Sequence, residues 1–172
     1  MSSPDPVTAS RRALVAALAA ALCAGACGFR LRGDASYAFS SVFVNAPSQP
    51  TFAVELTRAL ESSGGAKIAA NAAGAQAVVE IVRIADDKQV LSLSPAGRVQ
   101  EYALAKSVVF RVRGSDGREW APPDEITVRR TYTYDDSERL AREIQEQRLL
   151  RDMQTDAVNQ IVRRLQSVRP PA

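Results

Sequence analysis

The apolar and polar positions of this chain fall into alternating and helical runs in a fixed order. Residues 41–45 lie in an apolar-rich segment, YAFSSVFVNAP, that predicts a strand ended by Pro47. In FAVELTRALES, 52–62, the apolar residues Phe52, Leu56, Ala59 and Leu60 recur at helical spacing. Thr51 stands where a cap would begin that helix, and Gly64-Gly65 where a left-handed turn would end it. AVVEIVRIA, 77–85, predicts a strand, DDK interrupts it, and VLSLS resumes at 90–94. SPAGR, 94–98, predicts a turn.

The next run, Val99 to Arg113, alternates. Tyr102, Leu104, Val108, Phe110 and Val112 share one parity; Glu101, Ser107, Arg111 and Arg113 share the other. Successive strand residues point to opposite faces, so this is a strand with one buried and one wetter side. Together with the preceding run it forms a long hairpin whose tip, at SPAGR, is expected to project. SDG (115–117) and Pro122-Pro123 predict a second turn, and EITVRRTYTY, 125–134, another strand. A long amphipathic helix follows over about 137–168. Its apolar stripe runs through Leu140, Ile144, Leu150, Met153, Ala157, Val158, Ile161, Leu165 and Val168. Asp135 and Glu138 have capping-box spacing, and Pro170-Pro171 end the helix.

The order is β-α-β-β-β-α. Two helices cover one face of a sheet of about four strands, which predicts an α/β (α+β) two-layer sandwich. The first two β runs are expected to be parallel through a helical crossover and the later strands antiparallel.

The amino-terminal stretch has a different character. Arg11 and Arg12 precede ALVAALAAALCAGA, residues 13–26, which carries no charge. As a helix it would span about 21 Å, too short for a membrane span of about 20 apolar residues but suited to an export signal. Ala24, Gly25 and Ala26 precede Cys27, as in a bacterial lipobox, although Ala24 stands where leucine is usual. Bulky Leu22 before Cys23 does not fit such a site. Residues 1–26 are thus expected to be a lipoprotein signal peptide and Cys27 the lipidated residue, bearing N-acyl and S-diacylglycerol chains. Cys23 would leave with the signal and Cys27 would be blocked, which removes disulfide, zinc and thiolate chemistry. SRRALVA, 10–16, fits either a general or a twin-arginine export route. Residues 27–36 form a linker, 37–169 one domain, and 170–172 a tail.

The 146 residues after position 26 are enough for one domain. They carry 20 basic and 18 acidic residues, a balance that does not suggest a nucleic-acid binder. Only Lys67, Lys88 and Lys106 are lysines. The abundance of arginine fits either codon bias or recognition of carboxylates and phosphates. There is no histidine, which removes the commonest general base and metal ligand. The acid pairs Asp86-Asp87 and Asp135-Asp136 are expected at element ends. They are the only candidates for a hydrolase, and adjacent strand residues point apart, so each pair is poorly arranged for joint chemistry. No nucleotide, nucleophile-elbow or zinc-protease motif is present, and no enzyme activity or cofactor is expected beyond the lipid on Cys27.

CGFRLRG, 27–33, resembles the mature start of the LptE lipoproteins. PAGRVQEYAL (95–104) is similar to that family's hairpin tip and following strand, VRRTYTYDD (128–136) to its arginine–aromatic strand, and residues 140–165 to its last helix. The resemblance implies a non-enzymatic outer-membrane lipoprotein on the periplasmic side. It would plug and help assemble the LptD β-barrel and promote delivery of lipopolysaccharide to the outer leaflet. It also implies a basic lipopolysaccharide contact at Arg142, for which the alternative is a solvated or ion-paired helix residue. The family's second basic position aligns with Pro95; Arg98, three residues on, could replace it or be an ordinary turn arginine. Gly28 rather than aspartate after Cys27 suits the outer membrane. The competing reading is a lipoprotein adaptor of another envelope complex, because one fold serves many functions.

Overall fold

The computed structural model describes residues 35–134 and 139–171. Cys23, Cys27 and the Asp135–Glu138 capping box lie outside the described residues. Strand β1 (Ser41–Asn45) leads to helix α1 (Pro50–Ser63) and the two-residue strand β2 (Lys67–Ile68). A 3-10 turn at Ala72–Gly74 precedes three long strands: β3 (Ala77–Leu93), β4 (Val99–Gly114) and β5 (Glu119–Thr133). Helix α2 spans Arg139–Leu165. The sheet order is β2-β1-β3-β4-β5. β1 is parallel to β2 and β3, and β3-β4-β5 is an antiparallel meander, as the pattern predicts. The sheet has five strands rather than about four, because two residues of β2 carry no readable period.

Both helices lie on one face. Phe52, Leu56 and Leu60 of α1 and Met153, Ala157, Val158, Ile161 and Leu165 of α2 share a core with Val42, Val44, Val79, Leu104, Val108, Phe110, Val112, Ile126, Val128 and Tyr132. Glu55 of α1 ties the helices together by accepting hydrogen bonds from Gln154 Nε2 (2.7 Å) and Thr155 Oγ1 (2.6 Å). On β4 the buried parity is the expected one, and it also includes Lys106, 4% exposed.

Several local expectations change. Helix α1 starts at Pro50, with Gln49 before it and no side-chain cap; proline suits the first turn because its missing N–H would have no helical partner there. Gly64 and Gly65 end it at φ 68° and 82°. A Cβ on Gly65 would lie 1.8 Å from the Ala35 carbonyl oxygen, so only glycine lets the amino-terminal segment pass. β3 runs unbroken through Asp86-Asp87, which therefore lie mid-strand and not at an element end. Pro122-Pro123 lie inside β5 and not in a turn. Between the pairs Phe110↔Asp124 and Val112↔Ala121 the register slips, and β5 bulges there at the sheet edge, where prolines interrupt the fewest ladder bonds. Ile144, expected in the core stripe, is 60% exposed.

β1 pairs with β3 only as far as Asn45↔Glu80. Beyond that the sheet narrows to β3-β4-β5. β5 accompanies the hairpin to Thr133↔Glu101, so only the last residues around the tip project.

Candidate functional site

The far end of the narrowed sheet brings the two predicted arginines to the same side of the molecule. Arg98 sits in the β3–β4 turn. The turn is closed by the Ser94 N–H donating to the Arg98 carbonyl (2.7 Å) and the Gly97 N–H to the Ser94 carbonyl (2.9 Å), while the Arg98 N–H donates to Ser94 Oγ (3.1 Å). Gly97 has φ 76°, which closes so tight a turn. These bonds fix the backbone of Arg98 and leave the residue exposed. Because β5 ends beside Glu101 and α2 then returns over the sheet, the first turn of α2 lies at this same end. Arg142 belongs to that turn. It is partly buried, and its Nη1 donates to Gln145 Oε1 at 3.0 Å.

Between these arginines and the core lies a cluster not singled out from the sequence. Glu146, one turn after Arg142, accepts hydrogen bonds from Lys88 Nζ and Tyr132 Oη, each at 2.5 Å. The Lys88 ammonium stands 4.2 Å from the Tyr102 ring centroid, a cation–π contact. Tyr102 stacks on Tyr132 (5.7 Å) and meets Tyr134 edge-on (5.2 Å). Burial works against the Glu146 carboxylate, but the bonds from Lys88 and Tyr132 outweigh it and hold its pKa below the ordinary value. Burial also works against the Lys88 ammonium, and Glu146 and Tyr132 more than offset this and raise its pKa. For Tyr132, burial and then Glu146 raise the pKa, so the phenol stays protonated as donor. The shared parity of Tyr102 and Tyr132 was the available signal; the register that adds Lys88 was not visible.

The acids behave as structural groups. Asp86 faces the helices and accepts from Lys106 Nζ at 2.5 Å, whereas Asp87 accepts from Gln89 Nε2 at 2.8 Å. Asp86 is opposite Lys106 and Asp87 opposite Ala105, so they project to opposite faces. Among the described residues no group of three or more Asp, Glu, His or Cys could hold a metal, and no helix is long and apolar enough to cross a membrane.

A two-layer sandwich with helices on one face, cations at one end and several of its carboxylates held in ion pairs or hydrogen bonds has the features of a binding module. A family model for LptE, lipopolysaccharide-assembly, matches residues 39–165. The chain belongs to this family. Similar structures are lipoproteins. Uncharacterized lipoprotein B from Nitrosomonas europaea is 35% identical, with a TM-score of 0.71 over 81% of this chain and 91% of that one. Rare lipoprotein B from Shewanella oneidensis is 24% identical, with a TM-score of 0.64 over 74% of this chain and 95% of that one. A minor lipoprotein from Acinetobacter baumannii is 19% identical, with a TM-score of 0.64 over 78% and 97%, respectively. These last two show the fold. A search of curated protein sequences finds no match.

Proposed function

We propose that this protein is a non-enzymatic outer-membrane lipoprotein. In this reading residues 1–26 are removed, lipid on Cys27 anchors the chain, and the domain plugs and helps assemble an LptD-type β-barrel. It thereby promotes delivery of lipopolysaccharide to the outer leaflet. The carrying observation is the family match over residues 39–165, which spans nearly the whole described domain. The arginines at the far end support it, because guanidinium groups bind phosphates in a bidentate manner. So does the position of Arg142 in the first turn of α2, because a helix start favours an anion. A luminal plug meets the polar inner wall of a barrel, which suits the mixed charge of the exposed sheet face.

The test is affinity purification of the detergent-solubilised protein from its native membranes, with mass spectrometry of the co-purifying chains. A near one-to-one complex with a large LptD-type barrel is expected. Recovery of other outer-membrane complexes without any barrel would overturn this function and favour the adaptor reading.

A further inference from the structure

The end of the sheet opposite Arg98 holds a cleft that the far-end cluster does not use. β1, β3 and β5 begin at this near end, β4 ends there, and both helices finish there. The register slip in β5 leaves Pro122 and Pro123 without partners on β4, beside the end of α2. The cleft between them has a volume of about 480 Å3 and is lined by Phe110 and Val112 of the core and by Trp120, the two prolines and Val168. That volume is in the range of small-molecule sites. The proline rings add apolar surface without an N–H that would need a partner. Of the charged groups at the cleft, Arg111 is held by Glu80, and Arg164 stands 3.5 Å from Asp124. Arg169 donates from Nη1 to the Gln166 and Val168 carbonyls, at 2.8 and 2.9 Å, and among the described residues it meets no carboxylate. The cleft is therefore mainly apolar, with a net positive charge carried by exposed arginines.

The entry of the chain into the domain indicates what covers this cleft. The Ala35 N–H donates to the Ser63 carbonyl (2.8 Å) at the end of α1. Tyr37 stacks on Phe39 (5.0 Å), and Phe39 meets the Trp120 ring (6.2 Å). A line of contacts thus runs from the entry point to the cleft wall. Cys27 stands eight residues before Ala35, and a chain of that length reaches at most about 28 Å. Lipid on Cys27 would hold the near end within that distance of a leaflet. β4, 16 residues long, carries the far end about 50 Å further on. The side chains at the cleft suit such a surface. A tryptophan ring, apolar with one N–H, is favoured at headgroup level. Arginine lays its stem along apolar surface and gives its guanidinium to phosphate. A tether this short makes the contact effectively intramolecular, so a small patch is enough.

We infer that the near-end cleft rests on the phospholipid leaflet that holds the Cys27 lipid, with Trp120 at headgroup level and lipid phosphates against Arg164 and Arg169. The inference rests on the lipid anchor proposed above. It orients the domain: the near end lies on the leaflet, and Arg98, Arg142 and the Glu146 cluster are carried away from it.

Trp120 is the only tryptophan of the chain, so its emission reads the contact. The lipidated full-length protein is reconstituted in vesicles of phosphatidylethanolamine and phosphatidylglycerol whose acyl chains carry bromine close to the headgroup. Bromine quenches a ring only at close range, so emission should fall to about half or less of that in unbrominated vesicles. Pro122→Glu with Arg169→Glu keeps the anchor and should recover most of the emission with the melting temperature preserved, since both side chains are exposed. Protein that does not enter the vesicles would overturn the lipid anchor and this inference together. Anchored wild type with an unquenched Trp120 would overturn the docking alone. Equal quenching in the anchored double variant would mean that the tether by itself brings the ring to the bilayer, and would also overturn it.

Discussion

Lys106 and Asp86 face each other across β4 and β3 with Nζ 2.5 Å from Oδ1, the lysine side chain 5% exposed and the aspartate 47%. A lysine in an otherwise apolar strand face is tolerated because its ammonium reaches a half-solvated carboxylate at the sheet edge. The pair should be asymmetric under mutation. Asp86→Asn leaves a buried cation without its counter-ion and should cost about 1–3 kcal/mol, softened by the exposure of the aspartate. Lys106→Met removes the charge and fills the same space, and its stability should be equal to wild type or higher. Urea unfolding of the two variants checks this; equal losses would mean that the attraction, not the burial, dominates.

The Glu146 cluster gives the domain a defined pH window. The folded-state pKa of Glu146 is lowered, so its contribution is present above the unfolded value, about 4.3, and is lost as pH falls through the folded one. The pKa values of Lys88 and Tyr132 are raised, so theirs is present below about 10 and is lost as pH rises through their folded values. Melting temperature should be flat from about pH 5 to 9. Glu146→Gln should lower it on the plateau and flatten the acid limb. An acid limb of unchanged slope in the variant would place the acid sensitivity elsewhere.

Two glycines with similar backbone angles should respond differently. Gly97→Ala meets open space at φ 76° and should cost about 1 kcal/mol, the left-handed penalty alone. Gly65→Ala meets the Ala35 carbonyl as well and should cost more, about 2–4 kcal/mol, or release the segment before β1. Thermal unfolding compares them, and limited proteolysis ahead of Tyr37 detects the release.

Charge reversal at both far-end arginines, Arg98→Glu with Arg142→Glu, should weaken lipopolysaccharide binding about tenfold or more while the fold survives. The readout is binding to immobilised lipopolysaccharide alongside far-ultraviolet circular dichroism. A folded double variant that binds as wild type would remove both residues from the contact.

Cys27→Ser should release the protein to a soluble fraction in cells lacking the barrel, because several acyl chains make a stable anchor and the variant would carry none. Membrane retention of that variant would reject lipidation at this position.

The local periods of the chain determined most of its architecture. α1 and the core-facing part of α2 were legible because three- and four-residue spacing is a property of the segment alone, as was the parity of β4 from Leu104 to Val112. Arg98 and Arg142 were legible as candidates, but their placement at one end came from β5 running to Glu101 and α2 returning over the sheet. What lies across from a residue was decided only by the tertiary structure. Lys106 is buried because Asp86 faces it, and Ile144 is exposed although it continues an apolar stripe. Pro122-Pro123 belong to a strand because that strand is at an edge and bulges. Asp86-Asp87 remain within β3 because β4 pairs with them from one side. Sequence pattern records the face a residue prefers, whereas register and strand order settle which neighbour compensates its charge or leaves its backbone open.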